Sequence, residues 1–225
     1  MKRKAHGHFW SIAVLGIVAG LYFLSGASSA QAVIQSSGPV YRMDEGVFLQ
    51  CVVRWNSSVL PDLLDEAEEL GAPVNFFVSP RWAEEQPELL GRMHREGHSV
   101  GILLAMGSER SVISQLNRGR SALKKAGFDG GLSVLPERDG DAFALQGMLR
   151  GQNVQVLLCS FDVQGKTSRA EDLVQRIQKD SFAGAIIRFE PTKTMLEALK
   201  GAVEALRAQK LEPGTIRAPI NSNPV

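Results

Sequence analysis

From Val74 to Gly101 the chain reads VNFFVSPRWAEEQPELLGRMHREGHSVG, and the order of its parts sets the fold class. Val74–Val78 is a short apolar run of the length of a buried strand. Arg81 to Arg95 reads as a helix with Leu89, Leu90 and Met93 on one face, and Gly97 ends it. Ser99 to Leu104 is the next strand candidate. A strand, a helix and a second strand within about 30 residues form the right-handed crossover that joins neighbouring parallel strands.

The same alternation extends both ways. Val47–Val53 (VFLQCVV) reads as a buried strand, followed by Leu60, Leu63, Leu64, Ala67 and Leu70 at helical spacing, with Ser57 or Ser58 as cap and Gly71 as stop. Further on come a helix over Ser108–Ala126, a weak strand at Leu132–Leu135, a short helix at Ala142–Leu149 and an apolar run at Val154–Cys159. Ser168 with Glu171 suggests a capping box ahead of Leu173, Val174 and Ile177. Ala185–Phe189 is strand-like, Leu196, Leu199, Val203 and Leu206 mark a last long helix, and Thr215–Ile220 is a terminal strand candidate. Strands alternating with helices imply a parallel α/β sheet, open or closed into a barrel.

Composition narrows the classes of function. A chain of 225 residues with 44% hydrophobic and 22% charged residues can bury one sizeable core. The formal charge is +1, but Lys2, Arg3, Lys4 and Arg42 precede the first acid, Asp44; without them 21 basic residues face 24 acids, a net −3. A mildly acidic body offers no electrostatic footprint for nucleic acid. Residues 1–32 read as a targeting segment, with a basic start, an apolar run from Phe9 to Leu24 and a small polar stretch from Ser25 to Ala32. The run is long for a cleaved signal and short for a full span; Ser28-Ser29-Ala30 and Ala30-Gln31-Ala32 suit signal peptidase, while the length and basic flank favour an uncleaved anchor. Either fate places the domain, 47–225, outside the cytoplasm, with 33–46 as a stem. Cys51 and Cys159 lie in apolar runs and read as two free buried thiols; their spacing matches no metal or redox signature.

Val74–Gly101, together with Gly184–Leu199 (GAIIRFEPTKTMLEAL), resembles polysaccharide deacetylases of the NodB type, carbohydrate esterase family 4, and most of all their sporulation-type branch. The resemblance extends at pattern level over about Val47–Arg217. It implies the family's distorted (β/α) barrel of about seven parallel strands, here preceded by an N-terminal hydrophobic helix. It also implies metal-assisted removal of acetyl groups from polysaccharide or peptidoglycan.

The family's chemistry sits at the carboxyl ends of the strands, and this chain departs from it at each one. Aligning Trp55 and Asn56 with the family's tryptophan and glycine or asparagine puts Cys51 at its phenylalanine and Val52 at its aspartate base; a one-residue shift offers Arg54 instead. The two metal-binding histidines fall on Leu103 and Gly107. His94 and His98 are also four apart, but Gly97 interrupts the helix between them, which reads as a structural Gly-His turn. The arginine-proline-proline-tyrosine-glycine motif becomes Leu135-Pro136-Glu137-Arg138-Asp139-Gly140, in which only Arg138 offers a guanidinium. Asp162 matches the first acid of the next motif, and the family's general-acid histidine is Glu190.

Two readings follow. In the first, base, metal ligands, arginine and acid are all replaced. The protein is then a catalytically inactive, membrane-associated deacetylase-like protein without a metal or other cofactor, binding cell-wall glycan or a protein partner, with Trp55, Asn56 and Arg138 as candidate contacts. In the second, Asp162 and Glu190 form a rebuilt site of a hydrolase on N-acetylated polysaccharide. Glu190 would then need a raised pKa, and Asp162 is the candidate like charge to raise it.

Overall fold

A computed structural model describes residues 38–54, 58–163 and 169–218, all within one compact unit, 36–225. Its frame is a parallel sheet of seven strands: β1 (Val47–Val53), β2 (Val74–Val78), β3 (Ser99–Leu104), β4 (Leu132–Pro136), β5 (Val154–Val156), β6 (Phe161–Asp162) and β7 (Ala185–Phe189). The helices are α1 (Leu60–Glu69), α2 (Pro80–Glu85), α3 (Pro87–Arg95), α4 (Glu109–Lys125), α5 (Ala142–Met148), α6 (Ala170–Asp180) and α7 (Lys193–Ala208). The expected N-terminal helix, the terminal residues 219–225, and Trp55, Asn56 and Ser57 lie outside the described residues.

Sheet order is β5-β4-β3-β2-β1-β7-β6, so β5 and β6 are its two edges. Only Leu157–Ser160 separate them in the chain. A flat seven-stranded sheet holds its edges about 29 Å apart, whereas five peptide steps reach at most about 18 Å. The sheet must therefore curl, and the stretch 154–162 crosses from one edge to the other: Leu157 N–H donates to Val134 O (2.8 Å) and Ser160 N–H to Ile186 O (2.8 Å). Segment 38–43 fills the gap that remains, with Val40 bonded on both sides to Val156 and Leu158, and Met43 N–H bonded to Gly184 O at 2.8 Å. Gly184 has φ +86°, and a Cβ there would collide with the Met43 carbonyl, so only glycine lets the seal approach.

Curling divides the strand side chains into two sets. Along β1, Val47, Leu49, Cys51 and Val53 face the helices, whereas Phe48 and Val52 face the barrel interior. Both faces are covered, which is why VFLQCVV is a continuous apolar run rather than an alternating one. The helix-facing cluster is the larger; Leu60, Leu63, Leu64, Leu90, Met93, Leu116, Leu199 and Leu206 are fully buried in it, and each such side chain contributes about 1.5–3 kcal/mol.

Local details differ from the sequence-based expectations for identifiable reasons. The helix expected over 81–95 is two helices, because Pro87 pushes Gln86 out of the helical region (φ −125°, ψ 53°). Ser79 caps the first, accepting from Trp82 N–H at 3.1 Å. Ser58 does not cap α1, which starts from Val59 with Pro61 in its first turn. The N-cap of α6 is Arg169, one residue beyond the expected Ser168, and its guanidinium pairs with Asp172 at 2.8 and 2.9 Å. The expected strand at 215–220 is not a regular strand over its described part; Pro213 and Ala218 make single bridges to Val47 and Gly131.

Candidate functional site

The carboxyl ends of β1, β3, β4, β6 and β7 meet at one mouth of the barrel. Below it lies an apolar plug. Val52, Phe77, Leu103, Leu135, Leu157, Ile186, Ile216 and Phe48 form one buried cluster, with Cys159 packed against it. Val52 is the register partner of Phe77, and Leu103 of Leu135. The two positions aligned with the family's aspartate and first metal histidine therefore converge, as their registers require. They converge as hydrocarbon. Gly107 sits on the loop after β3, where a Cβ would touch Ser111 at 3.4 Å.

Above the plug the mouth is lined by two arginine-centred clusters. Arg54 follows β1; its Nε donates to Glu190 Oε1 at 3.0 Å and its Nη2 to the Glu137 carbonyl at 3.4 Å. Arg188, on β7, points inward at the register position of Gln50 and Asp162. Its Nη1 and Nη2 each donate to a carboxylate oxygen of Asp139 at 2.7 Å, and its Nε donates to Asp162 Oδ2 at 3.0 Å. Planar guanidinium and carboxylate match in this fork geometry. The Arg188 side chain is only 13% exposed. The hydrogen bonds that Arg188 donates to Asp139 raise its already high pKa, and the same bonds hold the Asp139 carboxyl below its ordinary value against an opposing effect of burial. Burial pushes the neighbouring Cys159 thiol up to about 11, so it is a protonated thiol rather than a nucleophile.

The sequence-based candidates are thus distributed unevenly. Asp162 and Glu190 both reach the mouth, but each accepts from a different arginine. Arg138 lies on the outer turn, 79% exposed, with Nε bonded to Asp141 Oδ2 at 3.1 Å. Trp55 and Asn56 lie outside the described residues. Arg188 and Asp139 were not among the candidates. A signal for Arg188 was present: in AIIRFE a lone cation occupies an inward position of an otherwise apolar strand.

The remaining histidines and cysteines have structural surroundings. His98 Nδ1 accepts from Val74 N–H at 3.1 Å, which places the proton on Nε2, 3.6 Å from Glu96 Oε2; burial lowers its pKa and keeps it neutral. His94 packs edge-on against Phe128. Cys51 faces the helices and Cys159 the barrel interior, so both thiols are free. Among the described residues no three His, Cys, Asp or Glu side chains are arranged to hold a metal ion. Val52 and Leu103, at two of the aligned positions, lack donor atoms and do not fit the family's divalent metal.

Residues 43–129 match the polysaccharide deacetylase family. Similar solved structures include the carbohydrate esterase family 4 pseudoenzyme BA3943 of Bacillus anthracis, with 22% identity over 80% of this chain and 68% of that one and a TM-score of 0.71. A mutant of that pseudoenzyme with restored enzymatic activity matches at 20% identity, 80% and 70% coverage and a TM-score of 0.73. Bacillus subtilis PdaA, a family 4 carbohydrate esterase, matches at 18% identity, 81% and 84% coverage and a TM-score of 0.68. At these identities the structures speak for the fold.

Proposed function

We propose that the chain, whose residues 43–129 match the polysaccharide deacetylase family, is a non-catalytic member of the NodB, carbohydrate esterase family 4 type. It is held at the outer face of the cell membrane by its N-terminal apolar segment and binds cell-wall glycan or a protein partner. One observation carries the proposal: Val52 and Leu103 meet as hydrocarbon where the family positions its base and first metal ligand. Loss of a single group would leave a weakened enzyme, but here base, metal ligands and general acid are all replaced, and positioned catalysis requires them together. The mouth above is occupied by ion pairs rather than by a vacant cation site.

Among the described residues no helix is long and apolar enough to cross a membrane; the proposed anchor, Phe9–Leu24, precedes them. The competing reading, hydrolysis by Asp162 and Glu190 without metal, would have both carboxylates act beside the arginines that pair with them.

The purified full chain should carry no stoichiometric divalent metal, and a chelator should leave its melting temperature unchanged. It should release no acetate from chitin oligomers or peptidoglycan. Bound zinc or cobalt together with acetate release that disappears in Glu190→Ala would overturn the proposal. Acetate release without metal, lost in both Asp162→Asn and Glu190→Gln, would establish the two-carboxylate reading instead.

A further inference from the structure

Charge is sorted sharply between two of the outer helices. α1 (LPDLLDEAEE) holds five acids and no base, whereas α4 (ERSVISQLNRGRSALKK) holds five bases and one acid. Opposite fields on two elements make complementary surfaces, and here the side-chain patterns match as well. Asp62, Asp65, Glu66 and Glu69 form one stripe of α1, exposed or half-buried; Arg118, Ser121, Ala122 and Lys125 form a stripe of the same spacing on α4. Each stripe ends on the last residue of its helix. Asp62 and Glu69 are therefore about 10 Å apart along the axis, and so are Arg118 and Lys125. Between the two cations, Ser121 and Ala122 are short and leave room beside a groove of about 740 Å³ that opens between α2 and α4.

The two stripes do not meet within one chain. Strands β1, β2, β3 and β4 are consecutive in the sheet, and right-handed crossovers put α1, then α2 with α3, then α4 side by side on its outer surface. Arg92 of α3 pairs with Asp65 of α1, and Arg118 of α4 pairs with Glu84 of α2. The acidic and the basic helix thus flank a ridge formed by α2 and α3.

We propose that this outer face is a self-association surface, on which α1 of one copy lies along α4 of a second copy. A two-fold axis running along the ridge, in the plane of contact, exchanges left and right and keeps helix direction. Each copy then presents α1 to its partner's α4, and both contacts form at once. Glu69 meets Lys125, and Asp62 meets Arg118, whose guanidinium has N–H groups beyond the two donated to Glu84. Exposed ion pairs are individually weak, so the dimer is reversible and rests on several pairs, each made twice. The contact lies outside the helix layer and does not depend on what the mouth of the barrel binds.

The test is sedimentation velocity of the full chain dispersed in detergent. The wild type should be a dimer at low salt and a monomer at about 1 M salt, where the screening length falls to about 3 Å. Glu69→Lys and Lys125→Glu should each give monomers, because each leaves like charges face to face. An equimolar mixture of the two variants should return a dimer, since every contact in it again joins opposite charges; misfolded variants could not do this. Carbodiimide coupling of a mixture of unlabelled and isotope-labelled wild-type chains should join the peptides of Glu69 and Lys125 across the two labels. A wild type that is monomeric at low salt, a dimer indifferent to both reversals, or a mixture that stays monomeric would overturn the inference. A ladder of larger species would overturn the two-fold arrangement. A monomeric chain that captures an anionic cell-wall polysaccharide, with capture lost in Lys125→Glu, would assign the basic stripe to glycan instead.

Discussion

Arg188→Met should lower the melting temperature by about 4–8 °C, corresponding to about 2 kcal/mol for a domain of this size. The substitution keeps most of the buried stem and removes the cation that joins Asp139 to Asp162. Breaking a fully buried pair costs about 3–5 kcal/mol, but both carboxylates here are nearly half exposed, and solvent screening reduces the effect. What remains is the loss of a bidentate bond and two acids facing each other at one mouth. Asp139 supplies the pH dependence. Its folded pKa is depressed by Arg188, so its stabilising contribution is present above the unfolded carboxyl value of about 3.9 and is lost as pH falls through the folded value. The difference between wild type and variant should therefore be full at neutral pH and close on acidification below about pH 4, as thermal unfolding across a pH series would record. An equal difference at pH 3 and pH 7 would show that Arg188 acts through packing alone. Adding Asp139→Asn to Arg188→Met should recover part of the loss, since one of the opposed charges is then gone.

Asn75→Leu should cost more, about 3 kcal/mol, and its effect should spread from the opposite end of the barrel. Asn75 is 1% exposed. Its Nδ2 donates to Leu49 O at 3.1 Å and Gly214 O at 2.9 Å, and its Oδ1 accepts from Ile216 N–H and Ser99 Oγ, both at 2.6 Å. One side chain thus pins segment 214–216 across the barrel and ties β1, β2 and β3 together. Leucine is close in size but leaves these groups unpaired, including the buried Ile216 N–H, and each buried orphan costs about 1–3 kcal/mol. Release of the segment to water limits the sum. The melting temperature should fall by about 6–12 °C, and amide exchange at Gly214 and Ile216 should lose its protection before the rest of the sheet does. Unchanged protection there would mean that the Pro213 and Ala218 bridges hold the segment without Asn75.

These two residues show which kinds of information a linear reading reaches. The parallel order, the helices and most of the core were legible because apolar periodicity is local, and each strand or helix carries its own pattern. Helix starts were less legible. Ser58 is a competent cap, yet α1 takes Val59 as its N-cap with Pro61 in its first turn, and α6 takes Arg169. Of the candidate site, Val52, Leu103, Glu190 and Asp162 were identified through the family's motif spacing. The two arginine-centred clusters, Arg188 with Asp139 and Asp162 and Arg54 with Glu190, were not, since these partners are 49, 26 and 136 positions apart in the chain. Asn75 has a partner 141 positions distant.

The amino-acid sequence by itself determined the fold class, because a strand pattern is local, and it put valine and leucine, which lack donor atoms wherever they are placed, at two positions that the resemblance aligns with the family's base and metal ligand. Only the tertiary structure decided what surrounds them. The stretch from Val74 to Gly101 announces a strand, a helical crossover and a strand; the structure breaks the crossover into two helices, and curling of the sheet turns Phe77 inward against Val52 and Leu103 and brings Asp139 and Asp162 onto Arg188. Charge pairing depends on distance in space, and chain order says little about distance until the barrel closes.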